Sequence, residues 1–197
     1  MLNLPRNVWI LAICLALFMS LSVFIVFVGG ILGNELASSK SLSTLPVAAI
    51  VVGTALSIFP VIRLMSVFGR KTVFLMICIY SIALLGLSAF AIITGSFLIF
   101  CLSSFLLGAT VATMNQFRFA AIESVSEEQR ATATAIVLLG GLVSAYLGPE
   151  VATIGKEIFA INFVGSYILL GLLFLIAFIL LCFFQPAKKF VEESDQS

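Results

Sequence analysis

The chain alternates long uncharged, apolar runs with short segments that carry charged residues. Because an ionised side chain near the centre of a bilayer costs about 3 kcal/mol on insertion scales, charges mark the limits of membrane spans. The longest uncharged run, residues 72–117, is too long for one helix and divides at Thr94-Gly95-Ser96, which is typical of a tight turn. The pattern therefore predicts six membrane helices over residues 7–32, 45–64, 72–93, 97–118, 132–154 and 160–184.

The composition agrees with a chain that lies within a bilayer. Of its 197 residues, 62% are hydrophobic and 10% are charged, whereas roughly 25% are charged in soluble domains. A formal net charge of +1 leaves no excess of positive charge to neutralise a phosphate backbone, which argues against a nucleic-acid partner. We expect an all-α membrane protein whose first partner is the lipid bilayer, with a six-helix bundle over residues 1–186 and a polar cytoplasmic tail over 187–197.

The distribution of Lys and Arg predicts the orientation of the helices. When alternate loops are assigned to opposite sides, eight of these residues fall on one side and two on the other. Cytoplasmic loops carry the excess of Lys and Arg, so both termini are expected in the cytoplasm. We therefore predict a multi-pass membrane protein whose two termini lie on the cytoplasmic side. The eight are Arg6, Arg63, Arg70, Lys71, Arg118, Arg130, Lys188 and Lys189, and the two are Lys40 and Lys156.

The residue inventory argues against catalysis and metal binding. The chain has no His, and its single Asp is Asp195 in the polar tail. A histidine-based triad, a histidine metal site and an aspartyl pair therefore cannot be built. The four cysteines stand singly in apolar runs without a Cys-x-x-Cys pair, which is typical of packing residues. We expect no enzyme activity, no catalytic residues, no metal and no cofactor.

The connection between the second and third predicted helices ends in Gly69-Arg70-Lys71. It resembles the loop motif of the major facilitator superfamily, Gly-x-x-x-Asp-Arg-x-Gly-Arg-Lys/Arg, whose glycines allow a tight turn and whose charges lock helix ends on the cytoplasmic face. An ordinary cationic anchor at the inner membrane surface is the alternative interpretation. Half of the motif is absent, because Ile62, Ser66 and Val67 stand where it has Gly, Asp and Arg.

The fifth predicted helix carries a stripe of small residues. Gly140, Ser144 and Gly148 recur every four residues, so they lie on one face, where another helix can approach closely. Pro149 follows directly and frees a backbone carbonyl, which favours a bend. A glycine stripe that ends in Gly-Pro resembles the superfamily's fifth helix, although generic tight packing would use the same residues.

The third resemblance lies at the junction of the fourth and fifth predicted helices. Arg118-Phe119-Ala120-Ala121 ends one helix and Arg130-Ala131-Thr132-Ala133 begins the next, a combination similar to a subgroup of bacterial facilitator-type permeases. The superfamily often has an Arg four residues before the glycine of helix 4, here Gly108, but this chain has Ser104. A proton-coupling role carried by that Arg therefore cannot be transferred.

The resemblance implies the amino-terminal half of a major facilitator fold, which holds its substrate between two six-helix halves. The similarity to bacterial permeases implies a location in the cytoplasmic (inner) membrane of a bacterium. Four polar or ionisable residues in or beside the spans are the predicted substrate or coupling contacts: Asn115, Gln116, Arg118 and Glu150. Arg118 and Glu150 could instead be interfacial, because both stand near the ends of spans. Most Ser and Thr in the spans are expected to bond to their own helix or to a neighbouring one.

Two functions follow from these features. The first is transport of a small organic solute, in which the chain works with a second six-helix half, either a separate chain or a second copy. The alternative is a non-transporting remnant or assembly partner in the membrane. The missing Asp and Arg of the signatures favour the alternative, whereas the glycine stripe and the polar end of the fourth helix favour transport.

Overall fold

The computed structural model describes residues 4–185, and within that range it consists of helices without strands. Six helical segments are long and apolar enough to cross a membrane by length and composition, which confirms the predicted six-span all-α fold. The predicted tail at 187–197, with Lys188 and Lys189, lies outside the described residues. The helices are α1 (Arg6–Leu36), α2 (Leu45–Phe68), α3 (Arg70–Ile93), α4 (Phe97–Met114), α5 (Phe117–Ile122), α6 (Arg130–Gly155) and α7 (Val164–Cys182).

Several helices extend beyond the limits that the charges set. α1 continues past Glu35 to Leu36, and α2 continues past Arg63 to Phe68. Charged side chains near helix ends can reach the interface while their backbone stays helical, so a charge limits the hydrocarbon-embedded stretch rather than the helix. The predicted fourth helix at 97–118 is interrupted after Met114, and the short α5 buries Phe117 on its inner face.

α1 is the central helix of the bundle. It contacts α2, α4, α5, α6 and α7, while α2 pairs with α4 and α3 packs against both α4 and α7. Aromatic rings fill the core around it: the Phe18 ring centroid lies 4.9 Å from that of Phe117 and 4.8 Å from that of Phe174. Phe74 stacks on Phe117 at 4.4 Å, so the Phe117 ring anchors α5 to the core together with the buried Ala120 and Ala121.

α2 and α4 approach each other through glycines. A Cβ atom added at Gly53 would collide with the backbone carbonyl of Phe105, and one added at Gly108 would collide with the backbone of Gly53 and Thr54. Only glycine lets the two backbones come this close. This contact was not predicted, because each helix contributes a single glycine and no repeat marks it.

Candidate functional site

The stripe of small residues on α6 lies against α1. A Cβ atom at Gly140 would stand 2.5 Å from the carbonyl oxygen of Ala12, and one at Gly148 would stand 2.8 Å from Cβ of Val23. Ser144 is buried between them and donates its hydroxyl to the carbonyl of Gly141 at 2.6 Å. The two helices therefore meet backbone to backbone within one chain.

A cleft of about 520 Å³ lies beside this contact, lined by Ser22, Val23, Val26 and Phe27 of α1 and by Pro149 of α6. Pro149 has no N–H, so the carbonyl of Ala145 lacks its usual partner within the helix. The cleft is mostly apolar, with the Ser22 hydroxyl among its few polar groups. It can receive an organic solute through apolar contact and one or two hydrogen bonds.

The four predicted substrate or coupling residues do not converge. Asn115 and Arg118 are exposed beside the end of α4, and the Arg118 guanidinium lies 4.8 Å from the centre of the Phe119 ring. The half-buried Glu150 stands twenty residues into α6, about 30 Å along the helix from Arg130. α4 ends on the side of the bundle where α6 begins. Asn115 and Arg118 therefore lie on that side, and Glu150 lies toward the opposite side.

Glu150 borders the cleft in sequence, since it directly follows Pro149. Tyr146 stands one turn earlier on the same face of α6 and is exposed, so a phenol and a carboxyl group lie side by side there. Gln116 is half-buried at the other end of the bundle, where its backbone carbonyl accepts a hydrogen bond from Arg70 at 3.4 Å. Of the four predicted residues, Glu150 is the one that adjoins a cleft-lining residue in sequence.

The loop motif forms a tight junction between α2 and α3. Gly69 is the single residue between them and has φ of 79°, a left-handed conformation that favours glycine. Its N–H caps α2 by donating to Met65 O at 3.0 Å. Arg70 then forms a 2.6 Å ion pair with Glu123 just after α5, and Lys71 donates to the carbonyl of Cys182 at 2.8 Å.

A second set of contacts at this end of the bundle was not predicted. Arg6 donates to the carbonyl of Phe183 at 3.2 Å, and the Asn7 amide both donates to Gln185 O and accepts from Gln185 N. Together with Lys71, these side chains bond to the carbonyls of Cys182, Phe183 and Gln185, at the end of α7 and just after it. The start of α1, the start of α3 and the end of α7 are thereby joined.

Most hydroxyl groups in the spans are occupied within the bundle, as expected. Ser20 and Thr54 donate to carbonyls of their own helices, at 2.6 and 2.7 Å. Two hydroxyl pairs join α3 to α4: Ser81 with Thr110 at 2.7 Å, and Ser88 with Ser103 at 2.8 Å. Ser104 Oγ is buried without a partner among residues 4–185. In that same range, no group of three or more His, Cys, Asp or Glu residues could hold a metal ion.

Three curated proteins resemble this chain. It is 35% identical over 173 residues to the Riboflavin transporter RfnT of Brucella anthropi, covering 85% of this chain and 43% of that protein. It is 31% identical to the Uncharacterized MFS-type transporter YddS of Bacillus subtilis (83% and 39% covered) and 29% identical to YdeG of the same organism (79% and 37%). The chain thus spans about two fifths of the length of each.

No solved structure matches the chain significantly. A sequence profile described as Major Facilitator Superfamily matches residues 8–196, which is nearly the whole chain and includes all six spans. The close α1–α6 contact, the Gly-Pro ending of the stripe and the Gly-Arg-Lys junction lie within the matched range. The chain therefore belongs to the Major Facilitator Superfamily.

Proposed function

We propose that this chain supplies one six-helix half of a secondary transporter for a small organic solute in the cytoplasmic membrane of a bacterium. The observation that carries the proposal is the family match over residues 8–196, together with the apolar cleft between α1 and α6 beside Pro149. A second six-helix half would close the open side of that cleft, because substrates of such transporters lie between two halves. This half is a separate chain, a second copy of this chain or a continuation of the same polypeptide.

The solute class follows from the lining of the cleft. Apolar side chains of α1 predominate and polar groups are few, so a largely apolar, modestly polar molecule fits better than a sugar or an ion. A relative that shares 35% identity is named a riboflavin transporter, which makes riboflavin the first solute to test. Glu150 is proposed as the group that carries a proton, because an ionisable residue near a span is costly without a role.

The test is uptake of radiolabelled riboflavin by a bacterial strain that cannot make it. The chain is expressed alone, then with the product of the DNA that follows its last codon. Growth and uptake only when both are present would support a transporter built from two halves. If neither the riboflavin nor a panel of other aromatic solutes is taken up by the assembled pair, the chain is a remnant or assembly partner instead.

A further inference from the structure

The α1–α6 cleft has an aromatic wall that no other ring covers. Phe27 lines the cleft, and its side chain is 46% exposed. Core phenylalanines such as Phe18 pack against other rings, whereas Phe27 makes no ring pair in the described part of the chain. The Phe27 ring therefore borders open space, in which an aromatic ring of a ligand can pack against it.

The shape of the cleft favours a flat ligand. α1 and α6 meet at Gly148, where an added Cβ atom would stand 2.8 Å from Cβ of Val23, and Val23 itself lines the cleft. The cleft therefore narrows toward a close helix contact. Phe27 lies one turn after Val23, and Pro149 directly follows Gly148, so a rigid ring lines the cleft from each helix. A planar ring system can enter such a wedge more deeply than a branched aliphatic group of the same volume.

The Ser22 hydroxyl lines the same cleft and is not used within the bundle. Serine side chains in membrane helices ordinarily bond to a carbonyl of their own helix, as Ser20 does with the carbonyl of Leu17 at 2.6 Å. Ser22 is half-buried, and among residues 4–185 its hydroxyl makes neither this bond nor another. A ligand atom that pairs with this hydroxyl would therefore add a hydrogen bond without breaking one in the protein.

The charge and spacing of the lining narrow the class of ligand. The residues that line the cleft are uncharged, so an ionic group placed there would lose its hydration without gaining an ion pair. Ser22 and Phe27 are five residues apart, which corresponds to about 7.5 Å along α1. A ligand that packs on the ring and also reaches the hydroxyl must therefore be longer than a single six-membered ring.

We propose that this cleft binds a neutral, fused heteroaromatic ring, which packs on Phe27 and places a polar atom of its edge against the Ser22 hydroxyl. The inference rests on the proposed transport function, because it names the class of solute that this half recognises. The Pro149 ring lines the cleft from α6 and contacts the same ligand. An acyl chain would use neither the aromatic face nor the hydroxyl.

The experiment is equilibrium dialysis of the purified chain in detergent micelles against lumiflavin, a neutral tricyclic ring with carbonyl and N–H groups along one edge. Binding to protein-free micelles is subtracted. Phe27→Leu keeps an apolar side chain but removes the ring, so the Kd should rise about two- to tenfold, whereas Phe27→Tyr should keep the wild-type value. Ser22→Ala should raise the Kd by a similar factor through loss of one hydrogen bond, and Ser22→Thr should restore it.

The matched control is Phe59→Leu, because Phe59 is 71% exposed on α2 and does not line the cleft. This variant should bind lumiflavin as the wild type does. A wild-type Kd in Phe27→Leu would mean that the cleft is an apolar surface without preference for a ring, and would overturn the proposal. Absence of saturable binding by the wild-type chain, alone and with its second half, would also overturn it. Thermal unfolding of each variant confirms that it is folded.

Uptake by the assembled pair separates this site from the proposed function. If the chain binds lumiflavin with the expected pattern of variants but the pair takes up no solute, transport is refuted and the ring site stands. If the pair takes up riboflavin and neither Phe27→Leu nor Ser22→Ala changes the rate, transport stands and the ring site is refuted.

Discussion

At the scale of single residues, the loop motif Gly69-Arg70-Lys71 forms an ion pair although it lacks the Asp of the family signature. Ser66 stands where the family signature has Asp, and Arg70 pairs instead with Glu123, fifty-three residues later. The sequence could not predict this pair, because Glu123 stands among other acidic residues and nothing in the spacing selects it. The turn at Gly69 was easier to predict, since it depends only on the local chain.

The Arg70–Glu123 pair should contribute modestly to stability, because the Glu123 side chain is 56% exposed. We expect Glu123→Gln to lower the free energy of unfolding by about 0.2–1 kcal/mol, less at high salt. Thermal unfolding in detergent micelles at two salt concentrations measures this. Glu128→Gln is the control, since Glu128 makes no ion pair in the described part of the chain. Equal shifts in both variants would contradict the pair's contribution.

Glu150 provides the residue-scale test of proton coupling. If its carboxyl group carries the proton, Glu150→Gln should abolish the dependence of solute uptake on external pH, because an amide does not titrate. Uptake measured from pH 5 to 8 in the assembled transporter checks this. Glu35→Gln, which changes an exposed carboxyl group at the end of α1, should leave the dependence intact. A wild-type pH profile in Glu150→Gln would exclude the role.

At the scale of helices, close approach is achieved in two ways, and only one leaves a pattern in the sequence. The α1–α6 contact uses Gly140, Ser144 and Gly148, whose four-residue periodicity can be recognised without a structure. The α2–α4 contact uses one glycine from each helix, Gly53 and Gly108, and a lone glycine in an apolar run carries no such signal. Periodicity identifies a packing face, whereas the partner helix follows only from tertiary structure.

Two glycine-to-alanine substitutions should have opposite effects, because Gly53 lies in the α2–α4 contact whereas Gly86 of α3 lies beside open space. Gly53→Ala should destabilise the bundle by about 1–3 kcal/mol, because its methyl group meets the backbone of Phe105. Gly86→Ala should be neutral or stabilise by up to about 1 kcal/mol, because its Cβ atom meets open space and alanine favours the helix. Thermal unfolding compares them. Similar shifts of the same sign would refute the contact.

At the scale of the whole molecule, the number of spans could be predicted but their arrangement could not. Each charged side chain is unfavourable in lipid regardless of its neighbours, so the positions of charged residues are enough to delimit the spans. The arrangement of the helices cannot be predicted in the same way, because a helix face that contacts another helix is as apolar as one that contacts lipid. α1, for example, is apolar around its whole circumference, and nothing in its sequence predicts that it is the central helix.

The orientation of the bundle is a prediction from the Lys and Arg bias and can be tested directly. Ser39→Cys, between α1 and α2, should react with a membrane-impermeant thiol reagent added to intact cells. Ser126→Cys, between α5 and α6, should react only after the membrane is permeabilised. Both are made in a Cys182→Ala background, because Cys182 is an exposed native thiol. The reverse labelling pattern would place both termini outside.

The contacts of Arg6 and Asn7 with the end of α7 bear on the order of events during synthesis. α1 leaves the ribosome before α7, yet the carbonyls that its first turn binds belong to residues more than 170 positions later. The first turn of α1 therefore gains these hydrogen bonds only after α7 has been synthesised. Until α7 is made, the side chains of Arg6 and Asn7 lack the carbonyl groups to which they donate in the folded bundle.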